Sequence, residues 1–215
     1  MDSIQFVCPG ENLGSSTASQ GVLVDSSNNQ LYNAVKRYSP IVGDVVIGVV
    51  THKTPDFYRV DIRGSAPAIL STTAFNGATK RHKPEVKIGN HVVAWVSRVD
   101  LDLDVELSCE DTGTQRDWSS GDCLFGVLTI ENSESALVVD VSCSYAAQLQ
   151  TKDTHPVFRS FGRHTKAEVA VGRNGRVFVK AATRAEVLAL SKTIVLGERL
   201  SPVQTEALFR GLLNL

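Results

Sequence analysis

The chain has almost no net charge with which to attract a partner. Its 22 Lys and Arg stand against 23 Asp and Glu, a formal net charge of -1 over 215 residues. A protein that held nucleic acid by bulk attraction would be far more basic. Any grip on RNA or DNA must therefore come from local patches or from a larger assembly. Cysteine is sparse too: Cys8, Cys109, Cys123 and Cys143 lie far apart, with no Cys-x-x-Cys, and no histidine stands four residues from another. That speaks against a zinc site and against a disulfide framework, so no metal and no cofactor are expected. The N-terminal stretch has neither the basic flank nor the apolar run of a signal peptide, and nothing approaches the roughly 20 apolar residues of a membrane span. A soluble, intracellular protein without membrane contact is the expectation. There is no P-loop, no Gly-x-Gly-x-x-Gly opening a helix, and no Ser, Cys or Lys in a nucleophile motif. An enzyme is not expected.

What is present is segregated. Asp100 to Asp111 holds six acidic residues and no basic one, while Lys152 to Lys192 holds nine Lys or Arg against three acids. Such separation suggests distinct faces for distinct partners. Three segments can be drawn: 1–38, a small N-terminal β-rich unit; 39–111, dense in strand signals; and 112–215, mixing strands and helices. In the first, "GVLVD" and a strand from Leu31 flank the turn "SSNNQ".

In the second, "DVVIGVVTHK", "FYRVDIRG", "APAILS", "NHVVAWVSRV" and "DVELSCE" read as five strands. Gly48 sits where a bend or bulge is expected. Tyr58, Val60 and Ile62 alternate with Phe57, Arg59 and Asp61. Between the third and fourth strands lies "NGATKRHKPEVKIG", which gathers Lys80, Arg81, His82 and Lys83 between Gly77 and Pro84. Five short strands with one long insertion there fit a small closed barrel of the OB kind, which commonly binds single-stranded nucleic acid.

In the third segment, "CLFGVLTI" and "ALVVDVS" read as a strand pair across Asn132–Ser135, and "YAAQLQT" and "PVFRSFGRH" as short helices. "AEVAVGRNGRVFVKA" reads as a hairpin with Asn174 and Gly175 at the positive φ angles of its turn. Thr183 with Glu186 forms a capping box that opens a helix ending at Gly197, with the stripe Val187, Leu188, Ile194 and Val195. Ser201-Pro202 opens a second helix whose apolar side is read as Val203, Leu208, Leu212 and Leu215.

Asp100, Asp102 and Asp104 alternate and would share one face of an extended strand, as a metal-dependent nuclease would need. Leu101, Leu103 and Val105 then fill the other face, the pattern of a half-buried strand with a wet side. "GRNG" looks like the phosphate-clamping Gly-x-x-Gly of KH domains. That clamp joins two helices, however, and here the flanks are strands, so a structural turn is expected.

"RYSPIVGDVVIGVVT", "YRVDIRGSAPAILSTTAFNGATKRHKPEVKIGN" and "AEVAVGRNGRVFVKA" together resemble the S1/KH cap subunits of the RNA exosome, of the ribosomal RNA-processing protein 40 type (exosome component three). The strings from Gly64 to Ala68 and from Phe75 to Arg81 distinguish it from the sister cap subunit, and "FVCPGE" fits the family's beginning. The resemblance implies an all-β plus α+β chain: the N-terminal β unit, a five-stranded OB barrel of the S1 type, then a KH-like α+β domain.

It also implies a non-catalytic subunit that sits with two other S1-bearing cap subunits on a ring of six RNase-PH-like subunits. Such a subunit guides single-stranded RNA into a central channel for 3′-to-5′ degradation and rRNA processing, in nucleus, nucleolus and cytoplasm. Lys80, Arg81 and Lys83 match the basic loop at the channel mouth. Lys53 and Arg59 are secondary RNA-binding candidates, and Phe57 is either a stacking platform or pinned under a neighbouring loop. Lys36 and Arg37 are contacts or solvating charges. Gly172, Asn174 and Gly175 match the family's Gly-x-Asn-Gly, expected to pack against the barrel or a ring subunit. The alternative is a free-standing single-stranded RNA-binding S1/KH protein, which the near-neutral charge disfavours.

Overall fold

In the computed structural model the described residues are 22–25, 30–33, 37–100, 102–111, 113, 116–120, 123–128, 135–150, 158, 161–162, 165–200 and 202–213. Most of the N-terminal unit, including Lys36 and Cys8, lies outside them, as do Leu101, Ser201 and Leu215. Within that unit, β1 (Val22–Asp25) and β2 (Gln30–Asn33) pair antiparallel, Val22 opposite Asn33; the turn expected between them falls on 26–29, outside the described residues.

The barrel is built from β3 (Val45–Lys53), β4 (Phe57–Asp61), β5 (Ala68–Phe75), β6 (His91–Arg98) and β7 (Glu106–Cys109). The strands run in the order β3-β4-β5-β7-β6, and β3 pairs again with β6 to close the cylinder. β5 and β7 are parallel; the other neighbours are antiparallel. This is the OB arrangement. Alternation decides the inside: Tyr58, Val60 and Ile62 are at most 1% exposed, while Arg59 on the same strand faces out. Val46, Val50, Leu70, Phe75, Val92 and Val96 are among the residues that join them in the core.

Gly48 does not mark the bulge. The register of β3 against β4 shifts between Val50 and His52 instead. The want of a Cβ at Gly48 makes room for the Val60 side chain, which a Cβ there would strike. The acidic stretch also departs from expectation. Residues 99–100 and 102–105 lie in no strand, Leu103 is 56% exposed, and Asp100 pairs with Arg98 at 3.2 Å. The carboxylates are thus not lined up by a strand's pleat, and the alternating face does not form.

"CLFGVLTI" and "ALVVDVS" do not pair with each other. β8 (Gly126–Leu128) joins the barrel sheet along the half of β6 that β7 does not reach, Val92 opposite Val127. β9 (Ala136–Asp140) pairs with β11 in a separate sheet. That sheet has the order β10-β11-β9, with β10 (Ala167–Val171) and β11 (Arg176–Ala181) forming the expected hairpin.

Helices cover it. α1 (Cys143–Leu149) is capped by Ser142, whose hydroxyl accepts from the Tyr145 N–H at 3.1 Å. α2 (Arg184–Gly197) opens on the Thr183/Glu186 capping box, and α3 is Pro202–Leu213. Phe158 and 161–162 are also helical; the rest of "PVFRSFGRH" lies outside the described residues.

The helix stripes are only half as read. Val187 and Ile194 are buried, but Leu188 and Val195 are 45% and 42% exposed. On α3 it is Phe209 and Thr205 that are buried, while Val203 is 79% and Leu212 39% exposed. The large Phe209 ring, 4.7 Å from Phe161, sets the rotation of the helix and turns Val203 outward.

Candidate nucleic-acid interface

The barrel and the KH-like sheet meet on the outer face of β3 and β6. Ile47, Val93 and Phe178 form a small core of their own there, each no more than 5% exposed. The first half of β3 pairs with β6 on one side only, because β4 begins its pairing at Val49. The tip of the β10–β11 hairpin docks on that open edge.

The Arg173 N–H donates to the Val45 carbonyl at 2.7 Å. The Asn174 side chain then does what a neighbouring strand residue would do. Its Oδ1 accepts from the Ile47 N–H at 3.2 Å, and its Nδ2 donates to the carbonyls of Ile47 at 2.8 Å and Ile62 at 3.0 Å. Asn174 is fully buried, so every hydrogen-bonding atom it brings must be matched.

This use of Asn174 changes the turn. Only Gly175 takes a positive φ, +79°; Asn174 does not. Gly175 N–H donates to Gly172 O at 3.0 Å and Gly172 N–H to Arg176 O at 2.8 Å, a three-residue loop closed by a left-handed glycine. A Cβ at Gly172 would strike Asn174 Oδ1 and lie 2.7 Å from the Ile47 nitrogen; one at Gly175 would strike the Val141 carbonyl. Gly172, Asn174 and Gly175 are thus a buckle between two units, and the Gly-x-x-Gly segment is closed to a phosphate chain.

Three charged residues that sequence reasoning passed over reinforce the buckle. Arg176 donates to the Asp61 carbonyl and carboxylate, both at 2.6 Å, and Arg63 donates to the carbonyls of Gly175 at 3.1 Å and Val141 at 3.3 Å. Arg63 adopts φ +60°, which aims it across the junction. Burial alone would raise the Asp61 carboxyl. Hydrogen bonds from Arg176 and the Arg63 N–H, with both guanidinium charges, hold it below its ordinary value.

His91, half-buried on β6, is pushed below its ordinary value by burial and by the Arg176 charge, against a smaller pull from Asp140. The unfolded chain therefore takes up this proton more readily than the folded one. The contribution of neutral His91 is present above the ordinary histidine range and is lost as pH falls through the lowered folded value. Acidifying from neutral to about pH 5.5 is expected to lower the melting temperature, and His91→Gln to shrink that loss; calorimetry at the two pH values reads both.

The basic loop lies at the far rim of the barrel and has a defined shape. Thr79 N–H donates to His82 O at 2.7 Å, and the His82 N–H donates back to Thr79 Oγ1 at 3.1 Å. Gly77, at φ +75°, sits against the Asp117 carboxylate. Trp118 N–H donates to Asn76 O at 3.0 Å, and the His82 ring lies 5.1 Å from the Trp118 ring. Downstream, Val86 is buried and Pro84 O accepts from the Tyr58 hydroxyl at 3.4 Å.

The loop's cations divide. Lys80 and Arg81 are exposed and without an ion-pair partner among the described residues. Lys83 is half-buried and latches the loop to the β3–β4 turn, donating to Pro55 O at 3.0 Å and Thr72 Oγ1 at 3.4 Å. Lys53, exposed at the end of β3, lies 6.0 Å from the Tyr58 ring, and Arg59 is exposed on β4. Phe57 is half-buried opposite Ser71. Replacing Lys83 with Met is expected to cost no more than about 1 kcal/mol while speeding tryptic cleavage after Arg81, because the loop then opens without global unfolding; unchanged cleavage would deny the latch.

Comparison with known proteins agrees with this architecture. Residues 38–121 match the family described as Exosome complex component RRP40, S1 domain, and residues 137–185 match the KH domain family. Exosome complex component RRP40 of Saccharomyces cerevisiae is 35% identical over 161 residues, covering 74% of this chain and 63% of that protein. A Dictyostelium discoideum protein, named as a candidate exosome complex component rrp40, is 31% identical over 189 residues, covering 86% of this chain and 75% of its own length. The chain thus spans about three fifths of the yeast relative. A crystallised protein described as a candidate exosome complex RNA-binding protein shares the fold, with a TM-score of 0.61 at 21% identity over 83% of this chain and 96% of that one. An S1-type barrel joined to a KH-like sheet, with sequence identity running through both, places the chain in the RRP40 family of exosome complex components.

Proposed function

We propose that the chain is a non-catalytic, RNA-binding cap subunit of the RNA exosome that guides single-stranded RNA into the central channel. Its partners are then the RNase-PH-like ring subunits and the other S1-bearing cap subunits, and its sites of action are nucleus, nucleolus and cytoplasm. The observation that carries the reading is the shaped loop at the barrel rim. It holds Lys80 and Arg81 out to solvent while Lys83, His82 and Val86 fix it from behind.

Lys53 and Arg59 extend the same charge onto the neighbouring strands, and Phe57 offers part of one ring face. A phosphate chain carries its charge whatever its sequence, so a few fixed cations suit a path shared among several subunits. The KH-like domain contributes architecture in this reading, since its Gly-x-Asn-Gly is occupied by the barrel. The test is photocrosslinking of uridine-substituted RNA threaded through the assembled complex. Crosslinks to residues 76–89 are expected; crosslinks confined to the KH-like domain would contradict it.

A further inference from the structure

Behind the basic loop lies a cavity of about 370 Å³ that the reading above leaves unused. Phe75 and Val93 of the barrel, Glu85 of the loop, and Trp118, Leu124 and Phe125 of the following segment line it. Its volume falls within the range of small-ligand sites, about 300–1,000 Å³, and its lining mixes aromatic and aliphatic side chains with polar ones such as Glu85 and Ser119.

Trp118 Nε1 is buried and has no hydrogen-bond partner among the described residues. The indole ring itself forms part of the cavity wall. Lys80 and Arg81 are exposed on the same loop as His82, whose ring lies 5.1 Å from the Trp118 ring, so the cationic loop and the cavity wall are joined. The Glu85 carboxylate at the margin repels phosphate but can accept an N–H from a base.

We propose that this cavity takes one nucleobase from the RNA strand whose phosphates lie on Lys80 and Arg81, a step that rests on the RNA-guiding reading. Every base offers a flat face to the aromatic rings, so insertion tolerates any sequence. Its effect is to hold the strand in place between advances.

The experiment uses the full chain with Trp95→Phe, so that Trp118 is the only tryptophan, with the unsubstituted chain titrated in parallel. Two fluorophore-labelled ribose-phosphate oligomers of equal length are compared, one wholly abasic and one carrying a single uracil. The uracil oligomer is expected to bind about tenfold tighter by anisotropy and to change Trp118 emission, which the abasic oligomer leaves as it was. Equal affinities with unchanged emission would overturn the proposal while leaving the RNA-guiding reading standing, the cavity then falling to an apolar protein side chain. Binding of neither oligomer at low salt would overturn both.

Discussion

Asn174→Ala is expected to destabilise the folded chain by about 3 kcal/mol and lower its melting temperature by roughly 10 °C. The substitution removes a side chain that is 0% exposed and leaves the Ile47 N–H and the Ile62 carbonyl without the partners they have at 3.2 and 3.0 Å. Water cannot readily take over, because Ile47 is itself fully buried. Each abandoned group costs about 1–3 kcal/mol; the Ile47 carbonyl keeps Arg176 at 3.3 Å and is spared.

Arg173→Ala is the control. That residue holds the barrel through its main-chain N–H, which the substitution retains, and a loss within about 0.5 kcal/mol is expected. Equal effects from the two substitutions would show that the amide is not the fastening. Scanning calorimetry on the two variants separates the cases, and limited proteolysis between barrel and KH-like sheet should accelerate for Asn174→Ala alone.

The second large effect concerns RNA. With Lys80 and Arg81 both changed to Ala, binding of single-stranded RNA is expected to weaken for every sequence. The slope of log affinity against log salt is expected to flatten by about 1.4, roughly 0.7 for each of the two phosphates no longer neutralised. Both side chains are exposed and neither is in a described ion pair, so the fold should be untouched. Lys192→Ala, exposed on α2 of the KH-like domain, should leave the slope alone. A slope unchanged in the double variant would mean that the loop's cations never meet the backbone.

The barrel is legible because each strand carries its own instruction. Runs with alternating apolar and polar residues, such as Tyr58-Arg59-Val60, specify a face without reference to any neighbour. The capping box at Thr183 and the hairpin around Gly175 are likewise local. What stays hidden depends on residues that meet only in the fold.

Asn174 looks like a turn residue until the unpaired edge of β3 is placed beside it, and Arg63 and Arg176 look like surface charges until Asp61 and the Val141 carbonyl arrive. β8 and β9 have equivalent patterns, yet one adds to the barrel sheet and the other to the second sheet. Gly48 reads as a bend because sequence cannot show Val60 filling its missing Cβ. Of the cationic candidates, periodicity cannot tell Lys83, which fastens the loop, from Lys80 and Arg81, which the loop presents.

Membership in a working assembly is the claim on which the cap role rests. Tagging the protein in its native cells, purifying it gently and identifying its stoichiometric partners by mass tests this at once. Recovery of RNase-PH-like subunits together with two further S1-bearing proteins is the result predicted. Recovery of the protein alone, or with ribosomes only, would contradict the cap role and leave the basic loop as an independent RNA contact.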